Sequence, residues 1–299
     1  MRFRLFLAAL LFAAPAAAQD KPAPPPGPVP NPADVVVVGN LQRDEQIRAF
    51  VRGMTRAATA EPLTRFQDEK LCPLVIGWSA DNDGAVTERM RRVAAAARIP
   101  VAKADCRHAN VLVLFANDKN AMIRLLRQRY PDFLLDARGG PMAVPAEDGP
   151  AAVWHLAGKV NFDGVALRAL ADGGPYVQRG TIAASRITSS VRSVYLMSFV
   201  VIERRALNGV SPTQVADYAT MRALTDATPA RARETGAPSI LNVLEIPMGG
   251  EMPITLTEWD MSFLRGLYAV SPNLFASAQR GAIGERMKRE IGKGDGAAP

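Results

Sequence analysis

Two histidines and two cysteines in 299 residues leave little material for metal or thiol chemistry. His108 and His155 stand far apart in the chain and outside helical patterns, and neither H-E-x-x-H nor C-x-x-C occurs. The usual zinc signatures are therefore missing. A site built from Cys72, Cys106 and His108 would lack the paired spacing that zinc sites show. Aromatic residues make up 6% of the chain, and they do not interleave with the basic helices as a single-stranded nucleic-acid platform requires. No repeat at a solenoid period is present. The one leading apolar run, Leu5 to Ala14, is about half a membrane span. No catalytic, cofactor-binding or metal residue is assigned, and no cofactor is expected.

What is present begins with an export signal. Arg2 and Arg4 form a basic n-region, Leu5–Ala14 an apolar h-region, and Ala16-Ala17-Ala18 a small-residue cleavage site before Gln19. Residues 1–18 read as a signal peptide, which places the mature chain in the periplasm or cell envelope, with no transmembrane segment after cleavage. Residues 19–33 follow as a proline-rich linker, a semi-rigid spacer with seven prolines between Lys21 and Ala33. Hydrophobic residues at 48% and charged residues at 22% are ordinary globular values, and the formal charge of +7 is a mild basic bias. In an oxidising compartment the pair Cys72 and Cys106 reads as a disulfide.

From residue 34 strand and helix signals alternate. Val35–Val38 is a β-branched run, and Ile47, Phe50, Val51 and Met54 share one helical face. Pro73–Trp78 reads as a strand, and Asp81–Gly84 as a turn into a helix bearing Val86, Met90, Val93, Ala94 and Ala97. Ile99–Ala102 reads as a short strand and Asn110–Ala116 as a strong one, before an amphipathic helix from Met122 to Tyr130. Residues 138–150 read as a loop. Ala152–Leu156 and Val194–Ile202 read as strands, the second without alternation and so buried on both faces. Helix signals fill the last third, with cap signatures at Ser211-Pro212-Thr213-Gln214 and Thr257-Glu258-Trp259-Asp260. The predicted fold is α+β or α/β: a mixed sheet with helices and an all-helical C-terminal third.

Each chemically tempting residue has a plainer role. Asp81–Gly84 resembles a calcium loop, but its twelfth position, counted from Ser79, is Met90. Gly77–Asp81 lacks the last glycine of G-x-S-x-G. Ser185, Ser189, Ser190 and Ser239 have no identifiable base. Asp260 stands three residues after Thr257, as a helix cap requires. The arginines within 89–98 and 124–129 offer a basic patch for anionic lipid or polymer.

Residues 193–268 resemble a family of exported proteobacterial proteins with a degenerate zincin-like domain. The resemblance rests on VYLMSFVVI, QVADYATMRAL, PSILNVL and LTEWDMSFLRGLY, with Ala109–Phe115 echoing a zincin strand opening. It implies a sheet, a motif helix and trailing helices, with the strands after Cys72 and Cys106 as parallel neighbours that bring both sulfurs to one end. Where a metalloprotease has H-E-x-x-H, this chain has Asp217-Tyr218-Ala219-Thr220-Met221. Without imidazoles at i and i+4 there is no zinc clamp.

The resulting expectation is a single zincin-like domain over 34–291 with a flexible tail over 292–299. Its function is a non-catalytic binding or structural one, with an envelope protein or polymer as partner and no nucleic acid. Two alternatives are a metal-independent hydrolase using Asp217, Tyr218 and Ser239, and an envelope-polymer or lipid binder using the arginine helices.

Overall fold

A computed structural model describes residues 32–55, 61–66, 70–135, 140–144, 149–167, 185–247 and 249–294. The expected signal peptide, the linker up to Asn31 and the end of the tail lie outside them. The chain divides into two units, 1–40 and 41–299, and of the first only the opening of helix α1 (Pro32–Gly53) is described.

Sheet formation centres on β5 (Val191–Glu203), the longest strand. On one side β4 (Ala151–Asn161) runs antiparallel to it. On the other, β1 (Arg65–Phe66) pairs in parallel at Val194–Tyr195 and β3 (Val111–Ala116) at Ser198–Glu203. The outermost strand, β2 (Pro73–Ile76), lies parallel to β3. β4 and β5 are out of step at one point: Leu156 opposes Met197 and Ala157 opposes Tyr195, which leaves Leu196 as the extra residue of a bulge on β5.

The bulge changes which way side chains point. Beyond it, Phe199 and Val201 enter a small cluster on one face, while Val200 and Ile202 enter the main core on the other. Strict alternation would send Tyr195 to the face of Phe199; instead it lies in the main core.

The two faces are covered unequally. On one, α2 (Ala80–Ala96) and α4 (Pro212–Leu224) bury Val86, Met90, Val215 and Ala219 against Val75, Val111 and Val113. Behind α4, Phe50 of α1 meets Trp259 and Phe263 of α6 (Glu258–Ala269) edge-on at 5.3 and 6.1 Å. Ile283 and Met287 of α7 (Ala276–Gly294) extend the same core. Each such fully buried side chain contributes about 1.5–3 kcal/mol. On the other face, α3 (Lys119–Arg129) and a 3-10 turn at Pro131–Leu134 cover a cluster of Leu126, Leu134, Trp154, Phe199 and Val201. Leu74 and Ile76 of β2, on that side, remain 43% and 49% exposed.

Helix starts follow their sequence signals. Ser211 with Gln214 and Thr257 with Asp260 form reciprocal capping boxes. Ser79 caps α2, and Asp83 lies inside its first turn, accepting from the Gly77 and Trp78 amides at 3.0 Å. Asp81–Gly84 is therefore helix, not the turn before it. From Arg204 onward the named elements are helical, among them α5 (Pro229–Glu234), with an irregular stretch before Thr257 and one bridge between Thr188 and Leu274.

Three expectations need correction. Val35–Val38 is helix, continuous with α1, because β-branched residues favour a strand only where a neighbouring strand pairs with it. Ile99–Ala102 is no strand; Pro100 cannot donate to a ladder, and a single bridge joins Val101 to Leu71. Helix α7 runs to Gly294, three residues into the stretch expected as a tail.

Cys72 and Cys106 are joined in a disulfide with their Cα atoms 6.2 Å apart. They precede β2 and β3, which are parallel neighbours with Pro73 opposite Val111, so both sulfurs fall at the same end. The Asn110 side chain reinforces this junction, accepting from the Cys72 amide at 2.8 Å and donating to Lys70 O at 3.2 Å.

Candidate functional site

A cleft of about 880 Å³ opens beside β4, bounded by β5, the end of α4, the loop into α5, and Glu245. Its floor depends on the bulge. Ala157, Ser193 and Tyr195 line it, and the ring of His155 stacks on Tyr195 at 4.1 Å and 19°. His155 Nδ1 lies 2.7 Å from Ser198 Oγ, and Ser198 donates its only proton to Ala223 O at 2.7 Å. Nδ1 must then carry a proton to make its bond, which leaves Nε2 as the basic nitrogen of the neutral ring. The imidazole is thus held by stacking below and by a hydrogen-bond chain to the last turn of α4.

The wall is built from the C-terminal end of α4 and the turn after it. Arg222 is buried at 2% exposure, with its guanidinium over the Tyr218 ring at 5.8 Å and Nη1 3.2 Å from Tyr218 Oη. Thr225 donates to Met221 O at 2.6 Å and accepts from the Ala227 amide at 3.1 Å, which fixes the turn. Arg231 then spans the loop, donating to Asp226 O, to Thr55 O at 3.0 Å and to Thr228 Oγ1 at 3.3 Å. Arg233 pairs with Glu245 at the rim. A side chain on Gly149 would place its Cβ 2.5 Å from the Glu245 carboxylate, so glycine is what lets Glu245 lie there. In contrast to these groups, the Asp226 carboxylate makes no hydrogen bond or ion pair among the described residues.

The residues singled out from sequence lie elsewhere or are already occupied. Asp217 is fully buried in α4 and accepts a bidentate pair from Arg89 at 2.7 and 3.0 Å, the Thr255 hydroxyl at 2.6 Å and the Leu256 amide at 2.8 Å. It anchors the stretch before α6. Ser239 donates to Asp260 at 2.7 Å and caps the 3-10 turn Ile240–Asn242. Burial pushes the Asp260 carboxyl above its ordinary range, and hydrogen bonds from Ile240 N, Ser239 and Thr257 oppose that shift. Tyr218 is tied to Arg222. His108 is exposed, and both sulfurs that might have joined it around zinc are consumed by the disulfide. Among the described residues no three His, Cys, Asp or Glu side chains are grouped to hold a metal ion.

In the sequence His155 stands out only as one of two isolated histidines, and nothing marks Tyr195 or Arg222. His155 occupies a strand position that looks like any other, and a bulge leaves no local signal in VYLMSFVVI. The one usable hint was a histidine and a run of hydroxyl and charged residues (Thr225, Asp226, Thr228) just past a helix end. No protein-family model, curated protein or solved structure matches the chain.

Proposed function

We propose that this is an exported, non-catalytic binding domain of the periplasm or cell envelope, with the cleft beside β4 as its binding site. One observation carries the reading: the β5 bulge directs Tyr195 beneath His155, so that a flat stack floors a cavity of 880 Å³. That size suits a small organic ligand, and most polar groups around it are already fixed by internal bonds. A ligand with a flat face for the stack and a hydrogen-bond donor for Asp226 fits best. Hydrolysis by Asp217, Tyr218 and Ser239 is less well supported, because each serves a structural bond. The run from sheet through α4 to the trailing helices supports a zincin-like ancestry, and the leader sequence supports export.

Ala230 lines the cleft but is exposed on α5, so Ala230→Trp should fill the mouth without disturbing the core. Native mass spectrometry of the protein after incubation with small-molecule envelope extract should show a bound species that Ala230→Trp and Asp226→Asn both lose. Equal retention by Ala230→Trp would refute the cleft as the site.

A further inference from the structure

We infer that the α3 side of the sheet is a docking surface for an anionic lipid bilayer. Two observations meet there, and the cleft enters neither. The first is charge. Arg124, Arg127 and Arg129 on α3 are exposed and make no ion pair among the described residues. At the start of α3, exposed Arg204 reaches Gly77 O and the Asn117 side chain, again without a carboxylate partner. The exposed acids of this element are Asp118, whose carboxylate is turned onto the Asn120 and Ala121 amides as the helix cap, and Asp132 in the following turn. Among the described residues of this side, cations therefore outnumber anions. The arginines of α2 differ: Arg89 is spent on Asp217, Arg91 on Ala102 O and Arg92 on Glu88.

The second observation is exposed apolar area beside those cations. Leu74 pairs with Leu112 and Ile76 with Leu114 across the β2–β3 ladder, so all four share the face that α3 covers. α3 packs over the inner pair and leaves Leu74 and Ile76 uncovered, with Leu125 at 46% exposure on the helix itself. A soluble polyanion would meet the arginines but has no use for Leu74, Ile76 and Leu125. A bilayer interface satisfies both, taking apolar side chains into the acyl boundary and phosphates onto guanidinium groups.

The test is sedimentation of the purified mature chain with vesicles of phosphatidylcholine alone or containing phosphatidylglycerol. With a contribution of the usual size from each basic residue, the three α3 arginines should strengthen partitioning onto the anionic vesicles roughly 100-fold. The triple variant Arg124→Gln/Arg127→Gln/Arg129→Gln should lose that preference. Removing the same charge elsewhere, as Arg48→Gln/Arg52→Gln/Arg92→Gln, should leave most of it. Leu74→Ser with Leu125→Ser should abolish whatever binding survives at about 0.5 M salt, where surface charge is screened. Ala230→Trp should change nothing. Native-like binding by the α3 triple variant would overturn the proposal, as would equal loss in the control triple or equal binding to neutral vesicles. Binding to dextran sulfate but not to vesicles would overturn the lipid assignment.

Discussion

The two faces of the sheet are held in place by different means. The α2–α4 face is thick: two helices lie on it, α6 and α7 stand behind, and a part-buried ion pair from Arg89 to Asp217 ties the two helices together. The α3 face is thin, with a small aromatic cluster in which Trp154 stacks on Phe199 at 4.9 Å and an outer strand whose apolar side chains meet solvent. A covalent staple at the β2–β3 junction does for the thin edge what a second helical layer does for the thick side. Away from the cleft, residues on the thick face are fixed by one another, whereas Leu74, Ile76 and Leu125 on the thin face stay half-exposed.

The largest expected effect probes the thick side. Asp217→Ala leaves Arg89 without its carboxylate and strips the Thr255 hydroxyl and Leu256 amide of their acceptor. Breaking a fully buried pair costs about 3–5 kcal/mol, and with Arg89 26% exposed the loss here should lie toward the lower end. Urea unfolding should show it, and a loss below about 1 kcal/mol would mean that packing alone holds this side.

Next comes the staple. Cys72→Ser, or reductant, opens a loop with a sequence separation of 34 and should cost about 3–4 kcal/mol on the chain-entropy model. The melting temperature should fall by several degrees, and the first protections lost in hydrogen exchange should be those of β2 and its junction with β3. Uniform loss across both faces would break the contrast between them.

The smallest effect sharpens it. Leu125→Ser on the thin face should alter stability by no more than about 0.5 kcal/mol, since it removes an exposed side chain. A larger loss would show that the α3 face is more tightly built than its exposure implies.

The sequence pattern was informative where structure is set locally and poor where it is set across strands. Capping at Ser211 and Thr257 was legible because donor and acceptor lie three residues apart. The apolar faces of α2 and α3 were legible for the same reason of short period. Val35–Val38 has the composition of a strand yet is helix, because β-branched residues look the same whether or not a strand lies beside them. The cleft could not be read at all: Ser193 and Tyr195 join Ala157 and His155 only through pairing between distant strands, and Leu196 becomes an extra residue only when β4 is set against it. Asp217 was legible as a polar residue on α4, but its role was not, because Arg89 lies 128 positions earlier.

The bulge at Leu196 makes insertions and deletions unequal in this protein. Deleting Leu196 would let Met197 follow Tyr195 directly, restoring a regular ladder while keeping Tyr195 under His155. Inserting one residue between Leu156 and Ala157 would also restore the ladder, by giving Leu196 a partner. That repair reverses the residues before Leu196, sending Tyr195 to the α3 side and emptying the floor of the cleft. Two genetic lesions of one codon each, both healing the same irregularity, would thus leave one lineage with the site and the other without it.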